Sequence, residues 1–206
     1  MLARAVAAAE TDTEAGKRKD DLMLEKGHVA GGYLVTWQVL KRWSSQGRVI
    51  PESERKKLLL LGTAAGTLPD VDVLLYALKT RSLEFGRDFD HHRWVTHTFP
   101  FYIIPGLLVY LYARSRQRPS LARLAVVMTT GAATHVLQDA VGSGTGIMWA
   151  WPFSQRMDGI IVLHTTGKAW RQAYQRHPVA WIERLLVATA VVTCLVDLVR
   201  GHSDHG

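Results

Sequence analysis

LPDVD at Leu68–Asp72, followed after a polar spacer by HHRWVTHT at His91–Thr98, decides how the rest of the chain is read. The two segments set Asp70, Asp72, His91, His92 and His97 beside Leu68, Val71, Val73, Leu74 and Leu75, whose packing needs no such polar company. Carboxylates in apolar surroundings are costly unless paired or coordinated, and a divalent cation satisfies several at once. Leu68 precedes Pro69 and is turned away from helix, while Pro69 fits a first helical turn. Asp70 and Asp72 therefore fall at a helix junction, where an i, i+2 pair can converge on one centre. Thr98 with Pro100 predicts the N-cap and first turn of another helix, leaving His92 and His97 just ahead of it.

Downstream, THVLQD at Thr134–Asp139 sets His135 and Asp139 four residues apart, one above the other on a helix face, a spacing that lets both reach one ion. Mixed imidazole and carboxylate donors in a chain with one cysteine, Cys194, point to zinc, manganese or another ion that takes oxygen and nitrogen ligands, and away from a thiolate site. A lone histidine of this kind is an ordinary core residue. Several histidines and three aspartates at element ends mark a functional site. His91 reads as a neighbour of the site, and Asp158 and His164 as loop residues.

The order His28, LPDVD at Leu68–Asp72, HRWVTHT at His92–Thr98, HVLQD at His135–Asp139 and WPFS at Trp151–Ser154 resembles the YdjM-type inner-membrane family, also described as membrane-bound metal-dependent hydrolases. The resemblance runs from Gly27 to Ser154. It implies His28, Asp70, Asp72, His92, His97, His135 and Asp139 as metal ligands and a place in the bacterial inner membrane. Thr98 stands where the family usually has Ser, and Trp94 replaces the usual small residue after His-Arg.

Composition sets the frame for these residues. The chain has 206 residues, 48% of them hydrophobic, with a mean hydropathy of +0.01, on the border between a soluble helical protein and a small membrane protein. A net charge of +7 suits anionic partners such as phospholipid headgroups or phosphorylated small molecules. One cysteine excludes an internal disulfide framework. Residues 1–27 read as a disordered or weakly helical tail, 28–200 as one helical domain and 201–206 as a flexible end.

Apolar runs predict helices over Val29–Leu40, Leu58–Thr67, Val73–Leu78, Phe99–Ala113, Leu124–Asp139 and Trp181–Val199, with Pro105 expected to kink the fourth. The sum is an all-α, compact bundle of about five to seven helices, several of them membrane-embedded. If consecutive helices run antiparallel, every candidate ligand gathers at one pole. The connectors Lys41–Lys57 and Arg114–Arg123, with six and four basic residues, then lie at the other. The positive-inside rule would put those connectors in the cytoplasm, although Lys168–Arg184 on the site side is basic too.

The function that follows is metal-dependent hydrolysis of a phosphodiester or other ester, with one or two ions, Asp72 and Arg93 as catalytic groups, and Arg93 pairing with substrate oxygens or with Asp88 or Asp90. The alternative is a non-catalytic membrane scaffold pinned by a structural ion, which a closed coordination shell would favour and an open one would not. Specific nucleic-acid binding is disfavoured, because the basic residues are dispersed over separate loops.

Overall fold

Proline and charge patterning start the helices earlier than the apolar runs suggest. In the computed structural model, which describes residues 26–81, 91–142, 146–161, 163 and 167–203, α1 spans 26–45, α2 Glu52–Ala65 and α3 Val71–Thr80. Two short 3-10 turns, His91–Arg93 and Val95–His97, lead into α4 (Phe99–Ser115), followed by α5 (Pro119–Gly142), α6 (Gly167–Arg176) and α7 (Pro178–Ser203). The described residues are thus all-α with seven helices and no strand, as expected. Residues 1–25 of the tail expected over 1–27, with Asp88, Asp90 and His164, lie outside the described residues, while 26 and 27 already belong to α1.

The predicted boundaries need correction in physical terms. Pro51 occupies the N-cap position of α2, with Glu52 and Glu54 in the first turn, where acidic side chains complement the helix dipole. Arg55, Lys56 and Lys57 therefore belong to a helix rather than to a long connector. The real link between α1 and α2 is only 46–51. Pro119, at the first position of α5, likewise opens that helix before Leu124 and leaves 116–118 as the link from α4. α4 runs unbroken through Pro105, and α7 reaches Ser203, past the expected start of a flexible end.

Small residues set how the helices cross. Gly32 of α1 lies against the Thr63 carbonyl and Gly66, and Gly131 of α5 lies against the Gly62 carbonyl, where an added methyl group would clash with backbone. Such small-residue contacts let backbones approach closely where lipid supplies no hydrophobic drive between helices. They also fix direction. The start of α1 meets the end of α2, so these two are antiparallel. On α5, Arg123 reaches Glu54 and His135 reaches Gly66, so α5 runs parallel to α2. Tyr102 of α4 packs with Ala132 and Val136, while Gly106 faces Thr129, which makes α4 antiparallel to α5. On α7, Glu183 lies by Gly27 and Asp197 accepts from Trp37 Nε1 at 2.7 Å, so α7 runs parallel to α1.

The starts of α1, α3, α4 and α7 and the ends of α2 and α5 accordingly share one pole. Beyond α5, the 146–161 loop is closed on itself by paired backbone bonds between Ile147 and Asp158 and tied to that pole by Ile160 N–H donating to the Ala140 carbonyl at 2.8 Å. At the opposite pole Leu40, Trp43, Leu58 and Val127 form a separate apolar cluster.

α5 (24 residues) and the Pro178–Val199 part of α7 (22 residues) are long and apolar enough to cross a bilayer. α4 exposes Phe101, Ile103, Ile104, Leu107 and Leu108, and α7 exposes Ile182, Leu185, Val191, Val192 and Leu195. Apolar faces this extensive mark contact with lipid or with another protein rather than with water.

The Arg123 guanidinium donates two hydrogen bonds to the Glu54 carboxylate, at 2.9 and 2.7 Å, and holds that carboxyl below its ordinary value. A depressed folded-state pKa contributes stability that is present above the unfolded value and fades as pH falls through the folded one. Glu54→Gln is therefore expected to lower stability by about 1–3 kcal/mol at neutral pH. The gap from wild type, measured by thermal unfolding in detergent, should close as the buffer is acidified below the ordinary carboxylate range. A gap independent of pH would show that the pair is not what stabilises this pole.

Candidate metal centre

Six side chains meet at the shared pole because each stands at the end of an element. His28 lies in the first turn of α1, Asp70 is the N-cap residue of α3, His92 and His97 sit on the two 3-10 turns, and His135 and Asp139 occupy the last turns of α5. Asp139 is the hub. Its Oδ1 lies 3.4 Å from His28 Nε2 and 3.8 Å from His92 Nε2. Its Oδ2 lies 3.0 Å from His135 Nε2 and 3.5 Å from His97 Nε2. Asp70 Oδ1 closes the set at 3.6 Å from His97 Nε2 and 3.5 Å from His135 Nε2.

All four imidazoles thus present Nε2 to the same space, and the Nδ1 atoms of His28, His97 and His135 each face a partner. Nδ1–H of His135 donates to the Gly66 carbonyl at 2.7 Å, an oxygen available because Gly66 caps the end of α2, where carbonyls lack helical partners. Nδ1 of His28 faces Gln138 Oε1 at 3.3 Å, and Gln138 is itself oriented by donating to the Gly27 carbonyl at 2.9 Å. Nδ1 of His97 faces Asp72 Oδ2 at 3.2 Å, and the same oxygen accepts from Thr96 Oγ1 at 2.9 Å. Hydrogen bonds of this kind on the far ring nitrogen set the tautomer and the aim of metal-binding histidines.

The consequence is clearest at His135. With its Nδ1 proton committed to a carbonyl that can only accept, Nε2 of the neutral ring carries a lone pair, and it points at a carboxylate oxygen 3.0 Å away. Both atoms are buried and neither makes a hydrogen bond. A ring lone pair and a carboxylate oxygen held this close in the interior call for a positive charge between them, which a proton or a metal cation supplies. Donors about 2.0–2.2 Å from a common cation stand about 2.8–3.6 Å apart at tetrahedral or octahedral angles, which brackets nearly all of the separations above. The donor set therefore fits a divalent ion. The ligand atoms of His28, Asp70 and His135 lie within 4.8 Å of one another, and so do those of His92, His97 and Asp139, two groupings that share no residue.

Charge in the pocket points the same way. Burial disfavours a protonated His97, yet hydrogen bonding to Asp70 and Asp72 outweighs it and pushes the imidazole up to about 9. Burial also works against the Asp70 carboxylate, and His97 and His135 still hold it below its ordinary value. The carboxylates in effect call for a cation wherever one can sit.

The sequence placed His28, Asp70, His92, His97, His135 and Asp139 together, and the fold brings them together. Asp72 is close but differently placed: fully buried, it lies behind His97 against Nδ1 and Thr96. Arg93 is exposed on the turn that carries His92. Asp158 belongs elsewhere, pairing with Arg156 at 3.0 Å and with the backbone of Ile147. Thr96, Gln138 and the Gly66 carbonyl were not foreseen. Thr96 and Gln138 lie inside the HRWVTHT and HVLQD segments and could have been flagged as polar residues adjoining candidate ligands, whereas nothing in the sequence marks the Gly66 carbonyl.

The profile of the YdjM inner membrane protein family matches residues 23–201. Inner membrane protein YbcI of Escherichia coli (strain K12) is 33% identical over 108 residues, covering 52% of this chain and 58% of the relative. The chain thus spans little more than half the length of that curated relative. No solved structure matches significantly.

Thr96→Val removes the hydroxyl that holds Asp72 against His97 while keeping side-chain volume. Zinc affinity, measured by competition with a chromogenic chelator, is expected to fall about 10–100-fold with helicity unchanged. Unaltered affinity would sever the link from Thr96 through Asp72 to the ion.

Proposed function

The chain belongs to the YdjM inner membrane protein family, and we propose that it acts in the membrane as a metal-dependent hydrolase of phosphodiesters or other esters. What carries this reading is the pair of buried acceptors, His135 Nε2 and Asp139 Oδ2, held 3.0 Å apart with the other ring nitrogen of His135 already engaged. His28, Asp70, His92, His97, His135 and Asp139 hold the ion, zinc or manganese, with room for one or two. When bound, such an ion polarises a phosphoryl or carbonyl oxygen and lowers the pKa of water.

The protein's own groups do the rest. Gln138, Asp72 and the Gly66 carbonyl keep three imidazoles aimed with Nε2 toward the site. Asp72, expected from the sequence as a ligand and catalytic group, becomes on this reading a positioning residue, because it is sealed behind His97. Arg93 supplies a guanidinium at the rim for substrate oxygens. Side-chain exposure supports an open site over the closed scaffold alternative: Asp70 is 29% exposed and His28 and His92 14% each, whereas His97 and His135 are fully buried. Substrate therefore approaches from the Asp70 side.

Protein purified in detergent is expected to carry about one or two divalent ions per chain by elemental analysis. A combined Asp139→Asn and His135→Gln variant should lose them while staying helical. Hydrolysis of bis(p-nitrophenyl) phosphate should stop on chelation and return with zinc or manganese. A folded wild-type chain that takes up no ion when dialysed against either metal would overturn the site, and metal uptake without hydrolysis would leave the scaffold alternative standing.

A further inference from the structure

The helix that opens with Asp70 has a second face that the metal site leaves unused. α3 is ten residues long, about 15 Å, half the thickness of a bilayer's hydrocarbon core, so it cannot cross. Its first turn points Asp72 inward to His97. Val71, Leu74, Leu75 and Leu78 form one stripe on the helix surface, with Leu74 57%, Leu75 50% and Leu78 67% exposed, and Lys79 follows at the end. This spacing is the apolar face of an amphipathic helix.

The surroundings at the same pole identify what covers that face. Trp181, exposed in the first turns of α7, lies under the Arg184 guanidinium at 4.8 Å, and Trp149 and Phe153 project from the 146–161 loop. Tryptophan with a basic partner at the end of a spanning helix marks the headgroup level of a membrane. α3 lies at that level because Asp70 belongs to the site at this pole. A short helix with an apolar stripe at headgroup depth lies in the interface plane with the stripe in the acyl boundary. The stripe also borders the entrance: Asp70, the most exposed of the six site residues, directly precedes Val71.

We propose that α3 is an interfacial helix seated in the bilayer, and that the site takes a phospholipid whose acyl chains run along Leu74, Leu75 and Leu78 while its headgroup phosphoester reaches Asp70. The substrate half of this proposal rests on the hydrolase reading; the placement of α3 does not. In the reaction, the oxygen of water adds to phosphorus, one phosphorus–oxygen ester bond breaks, and a proton from that water ends on the departing alcohol.

Two experiments separate the halves. In a Cys194→Ser background, a nitroxide attached after Leu75→Cys or Leu78→Cys is read in vesicles of phosphatidylcholine and phosphatidylglycerol. Collision with dissolved oxygen should exceed collision with a water-soluble nickel chelate, and the reverse order would overturn the placement. For the substrate, a Leu74→Ser, Leu78→Ser variant loaded with zinc should cleave fluorescent phosphatidylglycerol in those vesicles about tenfold or more slowly than wild type. The same variant should turn over bis(p-nitrophenyl) phosphate within about twofold of wild type, as expected for exposed substitutions. Equal losses on both esters, or no loss on the lipid, would overturn the lipid assignment. So would a wild-type protein that cleaves the soluble ester alone, which leaves the hydrolase reading intact. Failure on both esters removes that reading and the lipid assignment with it, while the nitroxide result still decides where α3 lies.

Discussion

Asp139 is the constraint from which the remaining architecture follows. Its residue is 95% buried, and each of its carboxylate oxygens faces two imidazole Nε2 atoms. A carboxylate taken out of water at this depth is tolerated only with compensating positive charge. The compensation must come from several elements at once, because no single helix can aim four rings at one group. Hence α1 has to begin, α2 and α5 to end, and the chain before α4 to pass through two tight turns, all within reach of one point. Helix ends suit this task in a second way: the unsatisfied carbonyl of Gly66 becomes the anchor for His135.

That convergence sets demands on packing further down the bundle. If α2 and α5 are to end together and side by side, their backbones must approach closely enough for a turn of one to reach the cap of the other. Gly131 permits that approach, lying against the Gly62 carbonyl and the Ala65 side chain. At the far pole the same parallel pair is clamped by Glu54 and Arg123, so its alignment is held at both ends. α4 lies antiparallel beside α5 and completes the wall with Tyr102 against Ala132 and Val136.

Much of this was legible because the polar residues fell at places where apolar runs break. Asp70 beside a Pro, His97 ahead of Thr98-Phe99-Pro100, and His135 with Asp139 near the end of an apolar run could all be assigned to helix ends, and antiparallel packing did the rest. Helix starts were less legible. Arg55, Lys56 and Lys57 look like a solvated link, yet Pro51 and the acidic first turn begin α2 ahead of them, and charged side chains on an exposed helix face leave no apolar period to detect. The division of labour between Asp70 and Asp72 was not legible either. Two carboxylates at i, i+2 are equivalent on paper, and only the packing of His97 between α3 and the turn before α4 sends one to the entrance and the other behind the ring. Backbone partners such as the Gly66 carbonyl carry no residue-type signal at all.

The depth of the site in the membrane follows from α5 alone. Arg123 and Asp139 are sixteen residues apart on one continuous helix, about 24 Å along its axis. That distance is close to the roughly 30 Å of a bilayer's hydrocarbon core, so in a bilayer crossed by α5 one charged group stands near each boundary and neither at the centre. A cluster of aspartates and histidines at the midplane would require complete enclosure, because polar groups there have no water or headgroups to meet. At the boundary the cluster can remain open on one side, as the exposure of Asp70 requires. Trp181 and Arg184 stand at the same boundary on α7, one at headgroup depth by its ring and the other by its charge. On the reading proposed above, the centre and its entrance occupy the one layer of the membrane where an ion, water and the ester groups of lipids are all within reach.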